Sequence, residues 1–186
     1  NVQPPRTAPV TLPPLEGPFS VQEPLQNLPP SPWFASQGDW TPKEGSLWAH
    51  PTSGSEKPAV LRTPLSLSNG SVDCEFNLRG ANRISLRFST GEGSFRLVLT
   101  RSAATLTKNP GKADPSTQDL AEKKNLHLEK DCWYPVRITF RDNQASIQVN
   151  QQTFTATHPI LADQKTSVDL LVFGNSAGLR NLRVTR

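Results

Sequence analysis

Two pairs of carboxylates in this chain have a spacing that could support chemistry. Asp73 and Glu75 alternate with Val72, Cys74 and Phe76, and Glu129 and Asp131 stand just ahead of Trp133. Residues two apart on an extended strand share a face, so each pair would present two acids side by side. Cleavage of a glycosidic bond uses such a pair, with carboxyl groups about 5–5.5 Å apart for retention and farther for inversion. Charges on a solvated strand face give the same pattern with no activity. No other nucleophilic machinery accompanies the acids. His50, His127 and His158 have no fixed short spacing, G-x-S-x-G is missing, and Gly91-Glu92-Gly93 is a turn without the following helix that a phosphate cradle needs.

The tryptophans offer binding rather than catalysis, because indole faces stack on sugar rings. Trp40 and Trp133 begin apolar strand runs and suit the core, which leaves Trp33 and Trp48 as the exposed, ligand-facing candidates. Cys74 has the parity of apolar strand residues and Cys132 directly precedes Trp133. In an exported protein a Cys74–Cys132 disulfide would close a loop of roughly 60 residues and contribute about 4 kcal/mol. Two buried thiols acting as small hydrophobes is the alternative. No spacing suits zinc, and no dense Asp/Asn loop suits calcium, so neither a metal nor a cofactor is expected. Asn69-Gly70-Ser71 matches a glycosylation sequon and reads as a turn.

The elements that must hold these residues are strands. Val136, Ile138 and Phe140 share one parity, and Arg137, Thr139 and Arg141 the other. Such alternation marks a strand with one buried and one wet face, and an antiparallel sheet of these buries its apolar side on a second sheet. Glu44-Gly45, Asn69-Gly70, Gly80-Ala81-Asn82, Gly91-Glu92-Gly93 and Asp142-Asn143 punctuate about eleven short strands. Residues 101–130 break the pattern. There, Asp114-Pro115 followed by Ser116 to Lys124 predicts a short helix capped by Asp114, in a crossover insertion. The expected fold is all-β, a two-sheet antiparallel sandwich with that one helix.

Ten of the 18 prolines fall in the first 32 residues, which carry only Arg6, Glu16 and Glu23 as charges. Residues 1–32 therefore read as an extended, polyproline-like arm or linker, and 33–186 as the sandwich domain. Leu12, Leu15, Phe19, Leu25, Leu28, Trp33 and Phe34 would let the arm lie on the domain surface. The net charge of +4 is mild, and Arg79, Arg83, Arg87, Arg96 and Arg101 are interleaved with strand residues as on a solvated face, so nucleic acid is not an expected partner. No apolar run is long enough to span a membrane. A start at Asn1 fits a processed protein that is secreted, periplasmic or on the cell surface.

Three segments resemble a bacterial family, the 3-keto-disaccharide hydrolase-type domain, a concanavalin-like jelly roll. They are Gly38 to Leu47 (its W-x-v-x-x-G-x-L opening), Trp133 to Ile138 running into Ile147-Gln148-Val149-Asn150 (its W-x-x-x-I … v-N-G hairpin), and Gly178 to Val184 (its closing f-R-N-i-x-v strand). Gln151 stands where that hairpin has glycine. The resemblance covers about residues 33–186, and it implies a jelly roll and a carbohydrate partner. Structural calcium occurs in concanavalin-like folds, though no ligand loop for it is present here. Family-16 glycosidases carry E-x-D-x-x-E, and Glu129-Lys130-Asp131-Cys132-Trp133-Tyr134 is similar but ends in Tyr134. A phenol with an ordinary pKa near 10 does not replace a carboxylic proton donor at neutral pH. The expected function is an exported, non-catalytic carbohydrate-binding or accessory module. The alternatives are a glycoside-acting hydrolase using Asp73/Glu75 or Glu129/Asp131, and a structural interaction module whose arm docks a partner.

Overall fold

The computed structural model describes Leu12 and residues 19–186. Fifteen strands run in chain order: β1 (Phe19–Glu23), β2 (Phe34–Gln37), β3 (Asp39–Lys43), β4 (Ser46–His50), β5 (Ala59–Leu67), β6 (Gly70–Asn77), β7 (Ala81–Thr90), β8 (Ser94–Leu99), β9 (Ala103–Lys108), β10 (Gln118–Lys124), β11 (Tyr134–Arg141), β12 (Gln144–Val149), β13 (Gln152–Thr157), β14 (Lys165–Gly174) and β15 (Ala177–Thr185). Among the described residues a single 3-10 turn, Pro159–Leu161, is capped by His158, whose Nδ1 accepts from the Ile160 N–H.

The first sheet has the order β13-β12-β11-β6-β15-β4-β3, and the second β10-β9-β8-β7-β14-β5-β2, with antiparallel neighbours throughout. The alternation in β11 does what its period demands. Val136, Ile138 and Phe140 are buried between the sheets, where Phe140 meets Phe88 and Phe95 edge-on at centroid distances of 5.3 and 5.7 Å. Trp40 is buried in the same core. Glu44 and Gly45 both take positive φ (52° and 70°), the twist a two-residue hairpin needs. Asn150 adopts φ 52° at the β12–β13 turn, a conformation asparagine tolerates.

The predicted helix is not formed. Gln118–Lys124 is strand β10, an edge strand hydrogen-bonded along β9. Asp114 does not cap a helix. Its carboxylate accepts from the Ser116 N–H at 2.9 Å and pairs with Lys108 at 3.0 Å, turning the chain back onto the sheet. An open sheet edge gives this segment more hydrogen bonds than one helical turn would, so tertiary pairing overrides local propensity.

The sandwich also takes in part of the proline-rich segment. Strand β1 pairs with the second half of β15, Leu182–Thr185, while β4 pairs with its first half, Ala177–Leu179. Leu12 is buried against the outer side of the first sheet. Apart from Leu12, the polyproline-like conformation expected for 1–18 lies outside the described residues.

Candidate functional site

Asp73 and Glu75 do share the outward face of β6, and arginines from both neighbouring strands hold them. Arg137 of β11 donates to Asp73 at 2.8 Å. Arg180 of β15 grips Glu75 with two bonds of 3.1 Å, and the Asn181 amide adds a third. Burial raises the Glu75 pKa, but the bonds from Arg180 and Asn181 and the charges of Arg180 and Arg183 outweigh it, so the carboxyl sits below its ordinary range. This is the opposite of the upward shift that makes a carboxylic acid a proton donor. Asp73 keeps one buried oxygen, Oδ1, without a partner, beside a cavity of about 150 Å³ that Leu12, Pro135 and Arg183 help to line.

The second pair lies in a loop and not on one strand face. Asp131 is exposed and Glu129 half-buried in the loop before β11, where the Cys132 thiol lies 3.7 Å from Glu129 Oε2. Tyr134, in the third position of that motif, is buried, and its hydroxyl accepts from the Glu129 N–H at 2.9 Å. Burial is the main cause that raises its pKa, so it pins a loop and offers no proton.

The Cys74–Cys132 disulfide is not formed. Cys74 is buried with its thiol facing the core, and Cys132 is a separate thiol in the loop. Burial above all, with the charges of Asp73 and Glu75, pushes the Cys74 thiol far up and leaves it inert.

The expected exposure of Trp48 and Trp33 is also corrected. Trp48 is buried and Trp33 is half-buried against the core. Trp48 lies edge-on to Trp133 at 5.9 Å, Arg79 covers its ring at 5.2 Å, and Arg180 stacks on Trp133 at 4.3 Å. Trp133, expected in the core, is half-buried on this outward face instead. Most polar and aromatic groups on this face of the first sheet thus meet one another, with Asp73 Oδ1 an exception.

The second sheet differs. One cross-strand row runs its whole width: Phe34, Arg62, Asp169, Arg87, Arg96, Thr107 and Asp119, each the register partner of the next. Cross-strand partners point to the same side, so all seven share the outward face. Asp169 is wholly buried and accepts from Arg62 Nε at 2.7 Å, from Arg62 Nη2 at 2.9 Å, and from Arg87 through both Nε and Nη2. These bonds raise the Arg62 pKa. Thr107 donates to Asp119 at 2.8 Å. Phe34, 59% exposed, ends the row, and Arg83 lies over the Phe173 ring at 4.1 Å nearby.

Two buried donors on this face have no partner, Arg96 Nε and the Ser85 hydroxyl. The row is a fixed ladder of guanidinium donors beside an exposed aromatic ring. Such a surface can hydrogen-bond the hydroxyls of a sugar and stack on its apolar face. In the sequence Arg83, Arg87 and Arg96 resemble ordinary solvated charges. The signal available was Asp169, a lone acid inside Val168-Asp169-Leu170-Leu171-Val172, which an apolar strand tolerates only when cations meet it.

A cavity of about 470 Å³ lies among end loops bearing His50, Ser53, Arg79, Lys130 and Asn175, and no carboxylate lines it. Among the described residues no three His, Cys, Asp or Glu side chains form a metal-binding group, and no helix is long and apolar enough to cross a membrane.

No family model and no curated protein matches the chain. Solved structures do. The β-glucanase of Bacillus licheniformis superposes with a TM-score of 0.70 at 13% identity, over 92% of this chain and 100% of that one. A Bacillus subtilis protein of unknown function with a galectin-like fold gives 0.71 at 13% identity, over 92% and 97%. The carbohydrate-binding module CBM66 from Bacillus subtilis gives 0.65 at 12% identity, over 83% and 95%. At these identities the likeness is one of architecture, and the chain has the two-sheet fold of a concanavalin-like jelly roll.

Proposed function

We propose that this domain is an exported, non-catalytic carbohydrate-binding module and that the outward face of its second sheet holds the saccharide. The observation that carries this reading is the contrast between the two faces. The acids suited by spacing to hydrolysis are clamped by arginines on the first sheet, with Glu75 held below the carboxylate range. The donor ladder of the second sheet has buried groups still unpaired and an exposed ring at its end. The likeness to CBM66 is consistent with this role. A ladder already fixed by Asp169 costs little ordering on binding, which favours affinity.

A second reading, a glycoside-acting hydrolase of the 3-keto-disaccharide or family-16 type, draws on the sequence motifs and on Asp73, whose one unpaired buried oxygen borders a cavity. A glycan array run beside hydrolysis assays on keto- and ordinary disaccharides separates the two. Binding without turnover is the expected result. Phe34→Ala should leave folding intact and weaken binding about threefold to tenfold, the range of an aromatic contact worth ~1 kcal/mol. Turnover lost in Asp73→Asn or Glu75→Gln would reverse the assignment, and no binding to any glycan would end it.

A further inference from the structure

The central strands of the second sheet are unbalanced in charge. On their outward faces β5, β14, β7 and β8 carry four guanidiniums, Arg62, Arg83, Arg87 and Arg96, and one carboxylate, Asp169. Asp169 engages Arg62 and Arg87 only, and Arg83 rests on the Phe173 ring. Arg96 has neither, and its buried Nε has no acceptor. Beside it, Ser85 is register partner to Val98, two residues along β8 from Arg96, and its hydroxyl is buried without a partner too.

Buried donors left unpaired each cost about 1–3 kcal/mol. Cations crowded on one face add repulsion that a counter-ion would relieve. Burial first, then the charges of Arg83 and Arg87, lowers the Arg96 pKa, against the smaller opposing pull of Asp119 at the end of the row. A guanidinium fork matches a carboxylate or sulfate in geometry and binds it with charge-assisted bonds.

We infer that the saccharide carries a negative group, a uronate carboxylate or a sulfate ester, seated on Arg96 and Ser85 and faced by Arg83 and Arg87. This rests on reading the second sheet as the saccharide face. The acid would meet the half-buried Arg96 guanidinium, and a shift of that side chain would open its Nε and the Ser85 hydroxyl to it, while the neighbouring sugar ring lies along the row toward Phe34.

The test is a calorimetric titration of the wild-type chain with neutral, uronate-containing and sulfated oligosaccharides of matched length, and with inorganic sulfate. The expected outcome is at least about tenfold preference for one of the two acidic classes over the neutral one, the size of one charge-assisted bond. That preference should fall as salt rises. Arg96→Gln and Ser85→Ala should each reduce it without lowering the melting temperature, whereas Arg141→Gln, which removes an equal charge from the exposed end of β11, should not reduce it. Equal affinity for neutral and acidic sugars would overturn the inference and leave the carbohydrate-binding role standing. No binding of any saccharide would remove both. Inorganic sulfate competing as well as the oligosaccharides would also overturn it, by making the face a site for free anions.

Discussion

Asp169 is out of reach of water and depends on the two guanidiniums that meet it. Removing one partner of a buried pair costs far more than the pair contributes, because the other charge is left behind. Arg87→Leu should therefore destabilise the fold by about 3–5 kcal/mol in urea titration, and Arg87→Leu with Asp169→Leu should recover part of that loss. Lys165 is another wholly buried charge, with its ammonium donating to the Ser68 carbonyl at 2.7 Å and lying 4.3 Å from the Phe140 ring centre. Burial lowers its pKa from 10.5 to about 8, against the smaller opposing pull of Asp163. Between those two values the unfolded chain binds more protons than the folded one, so this residue makes stability rise with pH from about 8 to 10.5. The difference between wild type and Lys165→Met, followed by denaturation at several pH values, should show that rise, and a flat difference would refute it. The acid pairs were legible in the sequence, but their partners were not. Asp73 meets Arg137 across 64 residues and Glu75 meets Arg180 across 105, separations that only strand order can bring together.

At the level of elements, alternation identified the strands wherever one face was apolar and the other polar, as in β11, β12 and β7. It failed over 101–130, because β9 mixes threonine with alanine and β10 is an edge strand with little buried surface on which a pattern could be written. Strand β15 shows why small residues sit where they do. A Cβ on Gly178 would lie 2.8 Å from Trp133 Cη2 and 3.1 Å from the Trp48 ring, so the paired indoles need that position bare. Gly178→Ala should cost about 1–3 kcal/mol through overpacking, and it should alter tryptophan fluorescence as the Trp48–Trp133 contact opens. An unchanged spectrum with unchanged stability would mean the indoles yield freely.

Across the whole molecule, the two sheets share one core and divide the surface chemistry. The first sheet's outer face carries ion pairs, stacked indoles and Leu12 around a small cavity, while the second presents donors outward. The sequence made the sandwich readable because burial of alternating residues leaves a periodic trace. It hid the donor ladder, because a row perpendicular to the strands takes one residue from each of seven separated segments. The way β15 shares one side between β4 and β1 carries a further consequence. A chain trimmed to begin at Trp33 would uncover the amides and carbonyls of Leu182–Thr185, offering a docking rail for any extended peptide nearby. Light scattering should then report more self-association than the chain that begins at Asn1 shows. The residues before Trp33 would thus act as a built-in guard against sticking to copies of itself.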